Sequence, residues 1–231
     1  MFQIMNKHYE NLVKLYLRLK GYLVSNLIIH SEERGNLKSE LDIIAVRFPN
    51  HMQDYRWVNV DDKLECSNSR IEVIIADVKN YSNPKNLEFN KGLRKNRESI
   101  NQLINWLGIF ETVNQEVIEK FESFLNLHRK QNWNGFAQFE EDLDIGKFNF
   151  KFTFFAPSLG EWNGKGFKYI HGNEIIDFVW ECLNDLNKIK TCSRIYDFTG
   201  WNEYLEYVLF FKEARSKITL EDFEKHFKAI K

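Results

Sequence analysis

The sequence predicts an α/β fold, and a few local patterns carry that prediction. Residues Ile71 to Asn80 read IEVIIADVKN, with five apolar, mostly β-branched residues in the six positions from Ile71 to Ala76. Such a run is a strand buried on both faces. Segments 22–30, 40–48 and 147–156 carry further strand patterns, and stretches of helical pattern lie before, between and after them.

At 231 residues, with 43% hydrophobic and 15% aromatic content, the chain can bury a sizeable core. No apolar run approaches the roughly 20 residues of a membrane span. The N-terminal MFQIMNKHYENLVK lacks a signal-peptide layout, because apolar and polar residues alternate in it. Cys66, Cys182 and Cys192 form no CxxC pair, so neither a zinc knuckle nor a disulfide framework is indicated. These features predict a soluble, cytoplasmic protein. A net charge of −1 means that any nucleic-acid binding must come from a local patch.

Taken in order, residues 5–20 predict a helix, with Tyr9, Leu12, Val13, Tyr16 and Leu17 on one stripe and Gly21 placed to end it. Glu10 lies at the edge of that stripe, where a wet boundary carboxylate is the ordinary reading. Residues 22–30 read as a strand, 31–39 as a polar turn and 40–48 (ELDIIAVRF) as a second strand stopped by Pro49. Residues 50–69 are polar, with a short alternating piece from Arg56 to Val60. After the strand at 71 comes a loop with Pro84, then a helical region from Leu93 to Lys130 broken near Thr112. Residues 131–146 read as an acidic loop, 147–156 (KFNFKFTFFA) as an alternating strand, and 167–171 as a short strand. Helices are predicted at 173–188, 201–215 and 220–230, the last opened by the capping-box pair Thr219 and Asp222. The final helices are open to two uses, completing the core or meeting a partner.

The chemistry points to the end of the central strand. Asp77 and Lys79 project from one face and Val78 from the other. A carboxylate and an ammonium at the mouth of a buried strand cost much in desolvation unless compensated, and a metal ion and a phosphate would compensate both. Asp42 interrupts the second strand near its start. Antiparallel pairing of 40–48 with 71–79 would bring it beside Asp77, and a divalent cation resolves the repulsion of two such carboxylates. The acid-x-Lys spacing alone is weak in a chain with 33 acids and 32 bases, and Asp61-Asp62-Lys63 repeats it in a turn-like context. Lys85, Lys91, Arg94, Lys95 and Arg97 cluster just after the strand, as a solvated helix start or a phosphate-binding rim. Gln102 and Trp106 stand four apart on the helix there, with Trp106 expected in the core more than as a stacking platform. The six histidines form no ligand-spaced pair.

With Glu10 on the first helix, Asp42 in SELDIIAV and Asp77 with Lys79 in IIADVKN, the chain resembles the PD-(D/E)xK nuclease superfamily, which includes restriction endonucleases, Holliday-junction resolvases and Mrr-type enzymes. Gln102 to Trp106 is similar to the Gln-x-x-x-Tyr helix motif of RecB-type members, with Trp106 in place of Tyr. Leu41 stands where the nominal Pro would be, and Asp77 where Glu is more common. The resemblance runs by element order over residues 5–180. It implies a restriction-endonuclease-like core, a central mixed β-sheet flanked by helices within 1–190, and a C-terminal helical extension, 191–231, packed on or near that core.

It also implies a Mg²⁺-dependent nuclease acting on DNA, with Mn²⁺ as a substitute and many relatives working as dimers. Asp42, Asp77 and the Val78 carbonyl would hold the metal, and Glu10 a second metal or a metal-bound water. Mg²⁺ suits such a set because it takes few protein oxygens and keeps waters and substrate phosphate as its other ligands. Lys79 would orient the attacking water, its pKa brought down from about 10.4 by metal and burial. Glu40 is a lesser candidate ligand, two residues from Asp42 on the same strand. Lys85, Lys91, Arg94, Lys95, Arg97 and Gln102 would meet the nucleic acid. Two other readings stand beside this one: a non-catalytic nucleic-acid-binding or assembly subunit of the same fold, and an α/β protein in which Asp77 and Lys79 are a structural ion pair.

Overall fold

The computed structural model describes residues 2–30, 37–51, 64, 66, 69–80, 87–127, 137–161, 169–184 and 197–229. Helix α1 (Phe2–Leu19) buries Leu12, Val13, Tyr16 and Leu17 completely, as the spacing predicts. Gly21 ends it at φ +88, and a Cβ there would stand 2.1 Å from the His51 ring, so both the backbone and its neighbour require glycine.

The sheet begins with an antiparallel meander of β1 (Leu23–His30), β2 (Leu37–Arg47) and β3 (Ile71–Val78). From β3 the chain crosses through α2 (Lys91–Arg94), α3 (Arg97–Leu107) and α4 (Gln115–Leu125). It returns through β4 (Ala137–Leu143) to β5 (Gly146–Ala156), which lies parallel to β3 and antiparallel to β4. The short β6 (Ile170–His171) runs parallel to the end of β5. The result is a mixed sheet in the order β1-β2-β3-β5-β4, with β6 beside β5. Helices cover both faces, so the fold is the predicted α/β class.

One face packs against α1, α5 (Gly172–Leu183) and two C-terminal helices, α6 (Leu205–Glu213) and α7 (Leu220–Ala229). Phe211, Phe223 and Phe227 are fully buried there with α1, so the C-terminal helices complete the core. Thr219 and Asp222 exchange backbone-to-side-chain hydrogen bonds at 3.0 and 3.2 Å, the reciprocal cap their spacing predicts. The other face packs against α2, α3 and α4 through Phe148, Phe150, Phe152 and Phe154.

Several expectations need correction. Residues 137–143 form strand β4, not loop: Ala137 and Phe139 point inward while Gln138 and Glu140 face solvent, so an edge strand with one wet face reads as polar sequence. The break in the helical region spans 108–114, between a left-handed Gly108 (φ +65) and the Asn114 cap of α4. Of the helix expected at 173–188 the described part is Gly172–Leu183, residues 185–188 lying outside the described residues, and that at 201–215 opens with a 3-10 turn, Thr199–Tyr204. Trp106 is half exposed, outside the core. The polar pieces at 31–36, 52–63 and 81–86, with Asp61-Asp62-Lys63 and Lys85, lie outside the described residues, as do Cys192 and Leu186.

The alternation in β5 also misleads. Asn149, Lys151 and Thr153 ought to face water, yet all three are buried, and Lys151 is 1% exposed. Its ammonium lies 3.0 Å from Glu72 in the neighbouring strand and donates to the Leu64 carbonyl, while Asn149 Nδ2 donates to Glu72 at 3.1 Å. A buried pair of this kind is costly to break and cheap to replace as a unit. Lys151→Met should therefore lower stability in urea unfolding by about 3–5 kcal/mol, and adding Glu72→Leu should recover most of the loss.

Candidate functional site

Where the β2–β3 ladder stops, side chains take over its hydrogen bonds. Ile43 opposite Ala76 is the last registered pair, and Asp42 comes next, beside Asp77. The register with β1 jumps from Ser25–Ile44 to Leu27–Leu41, so Asp42 and Ile43 together oppose Asn26. This β-bulge turns Asp42 out of the regular alternation, and its Oδ2 accepts from the Val78 N–H at 2.8 Å. On the other side, the Lys79 N–H donates to the Phe155 carbonyl at 2.7 Å, so the strand end is fixed by both neighbours.

Asp77 is 1% exposed. Its Oδ2 accepts from Lys79 Nζ at 2.8 Å and from the backbone N–H of Asn90 at 3.1 Å. Its Oδ1 is buried with no hydrogen-bond partner among the described residues. Asn90 was not anticipated. It is placed by Phe89, whose ring packs 4.6 Å from that of Phe154, and its side chain caps α2 through the Gly92 N–H at 2.8 Å. The only sequence signal was an Asn ahead of a helix start.

Four carboxylates influence one another here. Burial pushes Asp42 up to about 7, reinforced by the charge of Asp77 and then Glu10, and opposed by the Val78 N–H and Lys79. Glu10 is half-buried on α1, and burial raises it too, with Lys14 and Lys7 opposing and Glu40 and Asp77 adding to the rise. Glu10, Asp42, Asp77 and Lys79 thus come together as the sequence suggested, with Glu40 nearby. Lys7 and Lys14, one helical turn to either side of Glu10, were missed.

The basic rim is less uniform than its sequence. Lys91 and Lys95 are exposed and make no ion pair among the described residues. Arg97 is exposed but bonded to Glu119 and Glu122. Arg94 is buried, donating to the Phe89 carbonyl and paired with Glu88, which leaves it no face toward a phosphate. Gln102 Nε2 lies 3.5 Å from Glu98. Trp106 shares a groove with Ile71, six residues and about 20 Å along β3 from Asp77, so it does not reach the carboxylates.

Among the described residues no three His, Cys, Asp or Glu side chains form a ready-made metal cage. The donors nevertheless suit a hard divalent cation. Asp77 offers an unpartnered oxygen, Asp42 a carboxylate whose ionisation its neighbours oppose, and Mg²⁺ completes its shell with water. Comparisons with protein-family models, curated proteins and solved structures return no match to this chain. Among the described residues no helix is long and apolar enough to cross a membrane.

Between the unfolded value of 3.8 and the folded value of about 7, folded Asp42 holds a proton that the unfolded chain has released. Metal-free stability should therefore fall as pH rises through that window. Asp42→Asn keeps an acceptor for the Val78 N–H and removes the charge. Thermal unfolding in EDTA should show it about 1–3 kcal/mol more stable than wild type at pH 8, with no gain at pH 4.

Proposed function

We propose that this protein is a divalent-metal-dependent nuclease with a restriction-endonuclease-like core, hydrolysing phosphodiester bonds, with DNA as the substrate that the sequence resemblance favours. The observation that carries the reading is the buried Asp77 oxygen without a partner among the described residues, beside Asp42 and within the field of Glu10. A structural ion pair accounts for Asp77 and Lys79 at 2.8 Å, but not for Asp42, whose burial and the charges of Asp77 and Glu10 outweigh the help of the Val78 N–H and Lys79. Like charges gathered at one strand end are what a cation site requires.

Asp42, Asp77 and the Val78 carbonyl would hold Mg²⁺, with Mn²⁺ able to replace it, and Glu10 would hold a metal-bound water or a second ion. When bound, the cation supplies Lewis-acid charge at the phosphate and lowers the pKa of its water. Lys79, held against Asp77 with its side chain mostly buried, orients the attacking water and offsets negative charge developing on the phosphate. Lys91 and Lys95 are the rim cations best placed to meet the nucleic-acid backbone.

Cleavage of plasmid and branched DNA with Mg²⁺ or Mn²⁺, wild type beside Lys79→Ala and Asp77→Ala, tests the proposal. The expected outcome is metal-dependent cutting that falls by about 10²-fold or more in each variant. A wild type that is inert on every substrate yet binds DNA in a salt-dependent way would instead mark a binding subunit.

A further inference from the structure

The end of the sheet opposite Asp77 carries a groove that the candidate site does not use. An open cleft of about 510 Å³ lies between β1, the end of β2 and the C-terminus of α3, floored by Ile44, Val46, Ile71 and Phe148. Ile109 and Ile145 line both this cleft and a neighbouring one of about 450 Å³, which lies between the α3–α4 connection and the β4–β5 turn. The two adjoin through these shared residues and together make the groove. Leu23, Phe48, Trp106 and Ile145 are 68%, 54%, 50% and 64% exposed along it. Only Ile28 and Leu209 are comparable elsewhere among the described residues, so the exposed apolar surface is concentrated here. Exposed apolar side chains scattered singly need no partner; gathered in one groove they mark an interaction site.

The charge around the groove selects the occupant. Glu111, Glu116, Glu141, Asp142 and Asp144 line its second half, against Lys120 alone. Lys120 is bonded to Glu141, and Arg70 lies against Asp142. Glu111, Glu116 and Asp144 make no ion pair among the described residues. This potential repels a nucleic-acid backbone. A second copy docked symmetrically would set acid against acid, which disfavours a two-fold dimer through this face.

We propose that the groove docks a basic amphipathic segment of a partner protein. Its apolar side chains cover Trp106 and Ile145, and its Lys or Arg side chains meet Glu111, Glu116 and Asp144. The face of Trp106 also suits a guanidinium. The groove lies the length of β3 from Asp77, so a partner bound there leaves the carboxylates open. The proposal stands whether or not the protein cleaves nucleic acid.

The probe is a fluorescein-labelled 14-residue Lys/Leu amphipathic peptide. A Lys/Ser peptide of equal charge and a Glu/Leu peptide of equal apolar content serve as controls, all followed by fluorescence anisotropy on the full chain. The Lys/Leu peptide should bind at least tenfold more tightly than either control. Glu111→Gln with Glu116→Gln and Asp144→Asn, and separately Ile145→Ser, should each weaken it tenfold or more with an unchanged melting temperature. Equal binding of the Lys/Ser peptide, or affinity indifferent to both variants, overturns the proposal. So does sedimentation showing a wild-type dimer that Ile145→Ser dissociates, since the occupant would then be a second copy.

Discussion

A carboxylate buried at the end of the central strand is the constraint on which the rest of this structure turns. Asp77 can sit there only because Lys79 and the Asn90 N–H reach one of its oxygens. Each of those donors in turn depends on something else. Lys79 follows a strand end pinned to β5, and Asn90 is delivered by the packing of Phe89 on Phe154. The β-bulge at Asp42 and Ile43 then places a second carboxylate beside the first. Core packing, strand register and site electrostatics meet at this point, and the compensation is incomplete.

The two ends of β3 make the contrast. At its start, buried Glu72 has a cation of its own in Lys151 and an amide from Asn149. At its far end, Asp42 and Asp77 share one lysine, with Glu10 adding to the repulsion and one Asp77 oxygen left bare. A structural ion pair has the first form. The second form leaves like charges close together, and such strain gathers at functional sites. The surface differs along the same axis, with exposed Lys91 following Asn90, whose N–H bonds Asp77, and the acidic, apolar groove at the other end.

The sequence disclosed what depends on pattern and register. The buried run at Ile71–Ala76 and the interrupted strand at Asp42 were enough to bring Asp42, Asp77 and Lys79 together, while Glu10, at the edge of the α1 stripe, joined them only through the family resemblance. It hid what depends on the second layer. The FNFKFTF alternation signals a wet face, and only tertiary packing, with the Leu64 carbonyl and Glu72 against its ammonium, buries Lys151. The AQFEEDL segment reads as loop because an edge strand exposes its acids. Arg94 looked like its basic neighbours, yet its side chain turns inward to the Phe89 carbonyl and Glu88. Asn90 acts at Asp77 through its backbone N–H, which no residue type advertises.

The proposed cation site at the Asp42–Asp77 strand end is open to a direct test. Calorimetric titration of Mn²⁺ into the metal-free protein, beside Asp77→Ala, addresses it without any substrate. The account predicts saturable binding by wild type, with about one ion held between the two aspartates, and at least tenfold weaker binding by the variant. Absence of binding at millimolar Mn²⁺, or binding that Asp77→Ala leaves unchanged, would contradict it.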